Sequence, residues 1–169
     1  MWLTRSLGIC LHPTSLPGGR LGPEAFAFVD WLAAAGARWW QVLPLNPPDE
    51  FGSPYASASA FACWPGLLAD PEARVEPSEA RAFEQSHGYW VRDWVAYAGG
   101  EALADQVRFE REWSALRTYA AERDVQIIGG VPIYVDEASC DHAAHPELFL
   151  PEDFVAGAHA RHIFADRRD

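Results

Sequence analysis

The chain has 169 residues, of which 49% are hydrophobic and 22% charged, enough for one domain with a real core and unlike a disordered composition. Its formal net charge of -11 repels nucleic acid and anionic membrane surfaces and leaves a neutral polyhydroxy ligand indifferent. Three scattered cysteines, Cys10, Cys63 and Cys140, form no Cys-x-x-Cys and no disulfide framework, which predicts a reducing compartment, the cytoplasm. No apolar run reaches the roughly 18 residues of a membrane helix, and no basic segment leads into a long apolar one, so neither a membrane span nor a signal peptide is expected.

Residues 7–11 form a short apolar run closed by His12-Pro13 and Leu16-Pro17-Gly18-Gly19, the pattern of a buried strand ending in a turn-rich loop. Pro23 then opens a helix in which Phe26, Val29 and Leu32 recur at helical spacing, with Gly36 as its stop. A second apolar run over 39–45 ends at Pro44, Pro47 and Pro48. Strand, helix, strand makes a βαβ unit and implies a parallel sheet.

The segment 46–74 is too long for a plain connection, and such loops are functional or disordered. Phe51, Tyr55, Phe61 and Trp64 predict a packed one. A short helix is expected over 78–87, and Trp90, Val91, Trp94 and Val95 add a second apolar stripe broken by Gly99-Gly100. Leu103, Val107, Trp113, Leu116 and Ala120 mark a longer helix reaching about Arg123. Residues 125–128 read as a third buried strand, continued by 131–135 after Gly129-Gly130. From Asp136 onward the chain reads as acidic loop. The pattern is α/β, and in parallel α/β proteins sites are built at the C-terminal ends of the strands.

Those strand ends carry a resemblance. Gly8-Ile9-Cys10-Leu11-His12-Pro13-Thr14-Ser15-Leu16-Pro17-Gly18, Trp40-Gln41-Val42-Leu43-Pro44-Leu45, and Ser53-Pro54-Tyr55 followed by Ser59-Ala60-Phe61-Ala62 stand in order. Ile128-Gly129-Gly130-Val131-Pro132-Ile133-Tyr134-Val135 and His145-Pro146-Glu147-Leu148-Phe149 follow, then Val155-Ala156-Gly157. Together they resemble the front portion of the amylomaltase-type 4-α-glucanotransferases. The resemblance implies an incomplete TIM-type (β/α)8 barrel. It covers 1–157, with 158–169 as a divergent tail. It implies retaining transfer of α-1,4-glucan segments between maltooligosaccharides, with no cofactor. The nucleophile Asp, the acid/base Glu and a stabilising Asp would lie on later strands, so no catalytic residue falls within the chain. A second chain would have to supply the rest of the barrel, which needs about 250 residues to close. The alternative is a non-catalytic glucan-binding remnant or a partner-dependent structural fragment.

Departures from the family pattern accompany the matches. Gly130 stands where the family carries Asp, Cys63-Trp64 replaces Gly-Asn, and the stretch between Pro71 and Arg108 is compressed. The resemblance places Tyr55 and Ser53 at the donor-sugar end of the site, where an aromatic face suits a glucose ring. His12, at the first strand end, either bonds a sugar hydroxyl or locks the Pro13-Thr14-Ser15 turn. Asp136 and Glu137 are expected to be solvated loop charges, since neighbours on a strand point in opposite directions. Cys140, His142 and His145, with His159 and His162, match a metal-free loop of the family, so no metal is expected. Trp39-Trp40 reads as core packing, one ring on each face of its strand.

Overall fold

The structure is a computed structural model and describes residues 5–149. Three parallel strands form the central sheet: β1 (Leu7–Cys10), β2 (Ala37–Gln41) and β4 (Gln126–Ile128), in the order β1-β2-β4. The helix α1 (Pro23–Ala34) joins the first two, with Gly36 just beyond it at φ 75, a conformation open to glycine. The short strand β3 (Ala56–Ser57) and two long helices, α2 (Pro77–Ala98) and α3 (Ala102–Ala121), lie between β2 and β4. A second, two-stranded parallel sheet pairs β3 with β5 (Tyr134–Val135). The short helix α4 (Cys140–Ala144) follows.

Alternation of side chains gives the sheet two unlike faces. Ile9, Trp40 and Ile127 stand side by side in the register. They pack with Val42 and Val125 against Val29 and Leu32 of α1 and Phe109 and Leu116 of α3. Trp40 is 0% exposed; its ring meets Phe28 edge-on at 5.0 Å, and its indole N–H donates to the Leu11 carbonyl at 2.7 Å. The opposite face carries Cys10, Gln41, Gln126 and Ile128, all exposed, and a half-buried Trp39 whose indole N–H donates to Ser6 Oγ at 2.9 Å. Among the described residues, helices cover one face only.

A second core lies away from the sheet. Trp90, Val91 and Trp94 of α2, Ala102 of α3, Cys140 of α4 and Ala62 of the long loop are buried together. It seats the loop after β2 on α2 and α4.

Four sequence expectations need correction. The second strand begins at Ala37 and ends at Gln41 rather than spanning 39–45, although the Val42 N–H still donates to Ile128 O. Pro44 has no N–H with which to continue the ladder. Residues 131–135 do not prolong the third strand. Gly129-Gly130 and Pro132 break it, and Tyr134–Val135 pairs instead with Ala56–Ser57. The short helix and the apolar stripe of 78–95 are one helix, opened by Pro77 and a reciprocal cap between Glu76 and Glu79, with a kink at His87. The stretch after Asp136 is not all loop: Ser139 Oγ accepts the His142 N–H and caps α4. The expected boundary at 157/158 and the motif Val155-Ala156-Gly157 lie outside the described residues.

Candidate functional site

The C-terminal ends of β1, β2 and β4 share one end of the sheet, where His12, Pro44 and Gly130 stand. The long loop leaves β2 from this end, and its strand β3 pairs with β5, which follows β4 from the same end. Topology therefore places the Tyr55 loop at the rim of the sheet, the usual position for a site in parallel α/β proteins.

Asp49 builds the turn that presents Tyr55. Its Oδ1 accepts the Phe51 N–H at 2.9 Å and the Ser53 N–H at 2.8 Å. The Asp49 N–H donates to Ser53 O at 3.0 Å, and Gly52 takes φ 81. Ser53 Oγ faces back to the Tyr55 N–H at 3.4 Å, a weak bond. Tyr55 itself is 38% exposed, and its carbonyl accepts the Tyr134 N–H at 3.0 Å. Tyr55 and Ser53 thus share one turn fixed by main-chain bonds, while the Tyr55 ring reaches solvent.

The loop beyond Tyr55 is held by polar side chains that sequence reasoning missed. Asn46, buried, donates from Nδ2 to Ser59 O at 3.1 Å and Ala62 O at 2.9 Å. Ser57 Oγ donates to Pro47 O at 2.8 Å, and Ser59 Oγ accepts from the Phe61 and Ala62 amides. Gln106 of α3, only 3% exposed, accepts the Cys63 N–H at 2.8 Å and donates to Cys63 O at 3.0 Å. On the other side the Cys140 N–H donates to Ala58 O at 2.8 Å, and Asp141 Oδ2 accepts the Ala60 N–H at 2.7 Å. The signal available in sequence is a glutamine on an apolar helix face between Leu103 and Val107. Its partner, 43 residues away, is invisible there.

His12 belongs to a different element, just past β1. Its carbonyl accepts the Ser15 N–H at 2.9 Å, so a main-chain bond closes the Pro13-Thr14-Ser15 turn. The buried Nδ1 has no hydrogen-bond partner among the described residues, and burial holds the imidazole below its ordinary pKa, favouring the neutral ring. A neutral imidazole has both a donor and an acceptor nitrogen.

The remaining candidates disperse. Asp136 Oδ1 accepts the Ala138 N–H at 2.9 Å and its carbonyl the Ser139 N–H, so it shapes the entry to α4 rather than pairing with Glu137. Cys140 is buried in the second core, His142 lies on Phe149, and His145 sits between Asp93 and Glu147. Among the described residues no three His, Cys, Asp or Glu side chains converge on a point suited to a metal. His159 and His162 lie outside them. Burial pushes the Cys63 thiol up to about 12 and the Cys140 thiol up to about 11, which makes both poor nucleophiles.

Gly130 has a local reason of its own. A Cβ there would stand 2.9 Å from Pro44 Cδ and 3.0 Å from Pro44 N, atoms of a rigid ring and backbone. The chain past β4 has closed onto Leu43 and Pro44, beyond β2, where a side chain would sit. Gly130→Asp is therefore expected to lower stability by about 1–3 kcal/mol, as overpacking does. A thermal melt checks this, and a variant melting at or above the parent contradicts it.

Residues 11–98 and 101–159 match the family model Glyco_hydro_77, described as 4-alpha-glucanotransferase. A 4-alpha-glucanotransferase of Thermus thermophilus is 32% identical over 232 residues, covering 88% of this chain and 46% of that protein. One of Aquifex aeolicus (strain VF5) is 33% identical, covering 90% and 49%. The structure of the amylomaltase from Streptococcus agalactiae in complex with acarbose superposes with a TM-score of 0.74 at 26% identity, over 89% of this chain and 48% of that one. The chain spans about half the length of the curated relatives it matches. The Thermus thermophilus alignment, at 232 residues, is longer than the whole chain, so that relative carries internal segments with no counterpart here.

Proposed function

The chain belongs to the Glyco_hydro_77 family of 4-alpha-glucanotransferases, and from that premise we propose that its Tyr55 loop binds an α-1,4-glucan at the rim of a partial (β/α)8 barrel. The observation that carries this reading is the braced turn 49–55, in which Asp49 and Ser53 accept main-chain N–H groups while the Tyr55 ring stays part-exposed. A ring held that way presents its face to the apolar side of a glucose at little entropic cost, and its phenol can bond a hydroxyl. Ser53 and the neutral His12 are the polar partners in this reading.

Retaining transfer needs one carboxylate to attack the anomeric carbon and another to protonate the leaving oxygen, about 5–5.5 Å apart. Asp136, which directly follows β5, is committed to the turn before α4, Asp49 to the turn before Tyr55, and Gly130 offers no carboxylate. In this reading the described residues serve binding and orientation, the catalytic carboxylates implied by the family resemblance lying on later barrel strands. We assign the chain to the reducing cytoplasm.

A second reading makes the chain a partner-dependent fragment, and one observation favours it. The edge of β4 lies beside a shallow groove of about 400 Å3, lined by Ser114, Thr118 and Ala121 of α3 and by Gln126 and Ile127. Another β/α unit would seat its strand on that edge and its helix in that groove.

Calorimetric titration with maltoheptaose tests the primary reading. Tyr55→Ala is expected to weaken binding about tenfold or more, the loss of a principal aromatic contact. Unchanged affinity removes Tyr55 from the site.

A further inference from the structure

Phe61 and Tyr89 form an exposed aromatic corner outside the site described above. Phe61 is 48% exposed and Tyr89 69%, and their ring centroids lie 5.7 Å apart at an interplanar angle of 89°. The corner is fixed from behind. Phe61 stacks on the buried Trp90 at 6.1 Å and 17°, and Phe83 meets Trp90 edge-on. The main chain at Phe61 is pinned by Ser59 Oγ at 3.1 Å, and at Ala60 by Asp141 at 2.7 Å. Arg92 stands one turn beyond Tyr89 on α2 and is paired to Glu84 at 3.3 Å.

From this we propose that the Phe61–Tyr89 corner is a separate contact for a glucose unit of an α-1,4-glucan, a proposal that rests on the glucan reading of the Tyr55 loop. Size selects the occupant. Two part-exposed rings offer about 200 Å², far below the roughly 800 Å² per partner of a stable protein interface and on the scale of a sugar ring. Rings at right angles give a floor for the apolar face of one pyranose and a wall against its edge. Phe61 also lies on the same braced loop as Tyr55, six residues on. An α-1,4-glucan repeats the same apolar face along its length, so one ligand chemistry serves both places.

The test is calorimetric titration of the 169-residue chain with maltoheptaose, comparing Tyr89→Ala, Tyr89→Phe and Tyr55→Ala. Tyr89 is the better probe because its side chain is outermost and its removal leaves the Trp90 packing in place. Tyr89→Ala is expected to weaken affinity by about threefold to tenfold, while Tyr89→Phe, which keeps the ring, stays close to the parent. If Tyr89→Ala binds as the parent does while Tyr55→Ala is impaired, the corner is overturned and the Tyr55 reading stands. Equal losses in Tyr89→Ala and Tyr89→Phe also overturn it, because the ring is then not what binds. No binding by the unsubstituted chain overturns both readings.

Discussion

Replacing Trp40 with alanine is expected to remove the cooperative melt of the chain. The side chain is 0% exposed and fills the space between the sheet and α1, edge-on to Phe28, with its N–H donated to Leu11 O. Truncating a buried tryptophan costs about 3–5 kcal/mol through lost transfer energy and the cavity left behind. The Leu11 carbonyl also loses its indole partner. Whole domains are stable by only about 5–15 kcal/mol. A sheet covered on one face buries less apolar surface than one covered on both, so this loss takes most of the stability available. Trp39, its neighbour on the open face, provides the control: Trp39→Ala should cost far less. Equal costs, measured by urea unfolding, would show that the two faces are assigned wrongly.

The second large effect belongs to Gln106. Its amide accepts from and donates to the same residue, Cys63, at 2.8 and 3.0 Å, with only 3% of the residue exposed. Gln106→Leu keeps a similar volume and removes both bonds, leaving the Cys63 N–H and carbonyl without the partners that α3 supplies. Each unsatisfied buried group costs about 1–3 kcal/mol, so a total of about 2–6 kcal/mol is expected. The loss should also be local. Amide hydrogen exchange is expected to rise first over 58–63, where the loop is tied to α3, and least in β2. Uniform acceleration across the sheet would instead make Gln106 a general core residue and not a clamp on the loop.

The two side chains also mark what the sequence made legible. Trp40 stands in a run of apolar residues bounded by prolines, and buried parallel strands have that signature, so the strand and its packing role were readable. α1 and α3 were readable for the same kind of reason, an apolar stripe with Pro23 at the start of one and Gly36 at its stop. The kinked helix was not. His87 and Gly88 look like a helix end, yet the His87 ring lies on Phe83 at 4.2 Å with Nδ1 at 3.1 Å from the Phe83 carbonyl, and the helix runs on. The pairing of Tyr134–Val135 with Ala56–Ser57 was also hidden, because an apolar run does not reveal which distant strand it meets.

Tyr55 and Ser53 are singled out in the sequence by the Ser-Pro-Tyr motif as candidate site residues, and the structure shows the Asp49 turn that holds Ser53 and leads into Tyr55. His12 was singled out from its position, but its ring environment was not readable, since burial of Nδ1 depends on packing. Asn46, Gln106 and Asp141 escaped notice because each acts on main-chain groups 13 to 81 residues away. Gly130 was noticed as a missing carboxylate. The structure adds that Pro44 occupies the space a side chain would need.

Residues 5–149 are expected to fold as one cooperative unit and to hold an α-glucan at the Tyr55 loop. Differential scanning calorimetry with and without millimolar maltoheptaose tests it most directly. A ligand that binds only the folded state adds about 2.7 kcal/mol at a hundredfold excess over its dissociation constant. The account predicts one cooperative transition that moves up by several degrees with maltoheptaose. A cooperative transition that maltoheptaose leaves in place, or no cooperative transition, contradicts it.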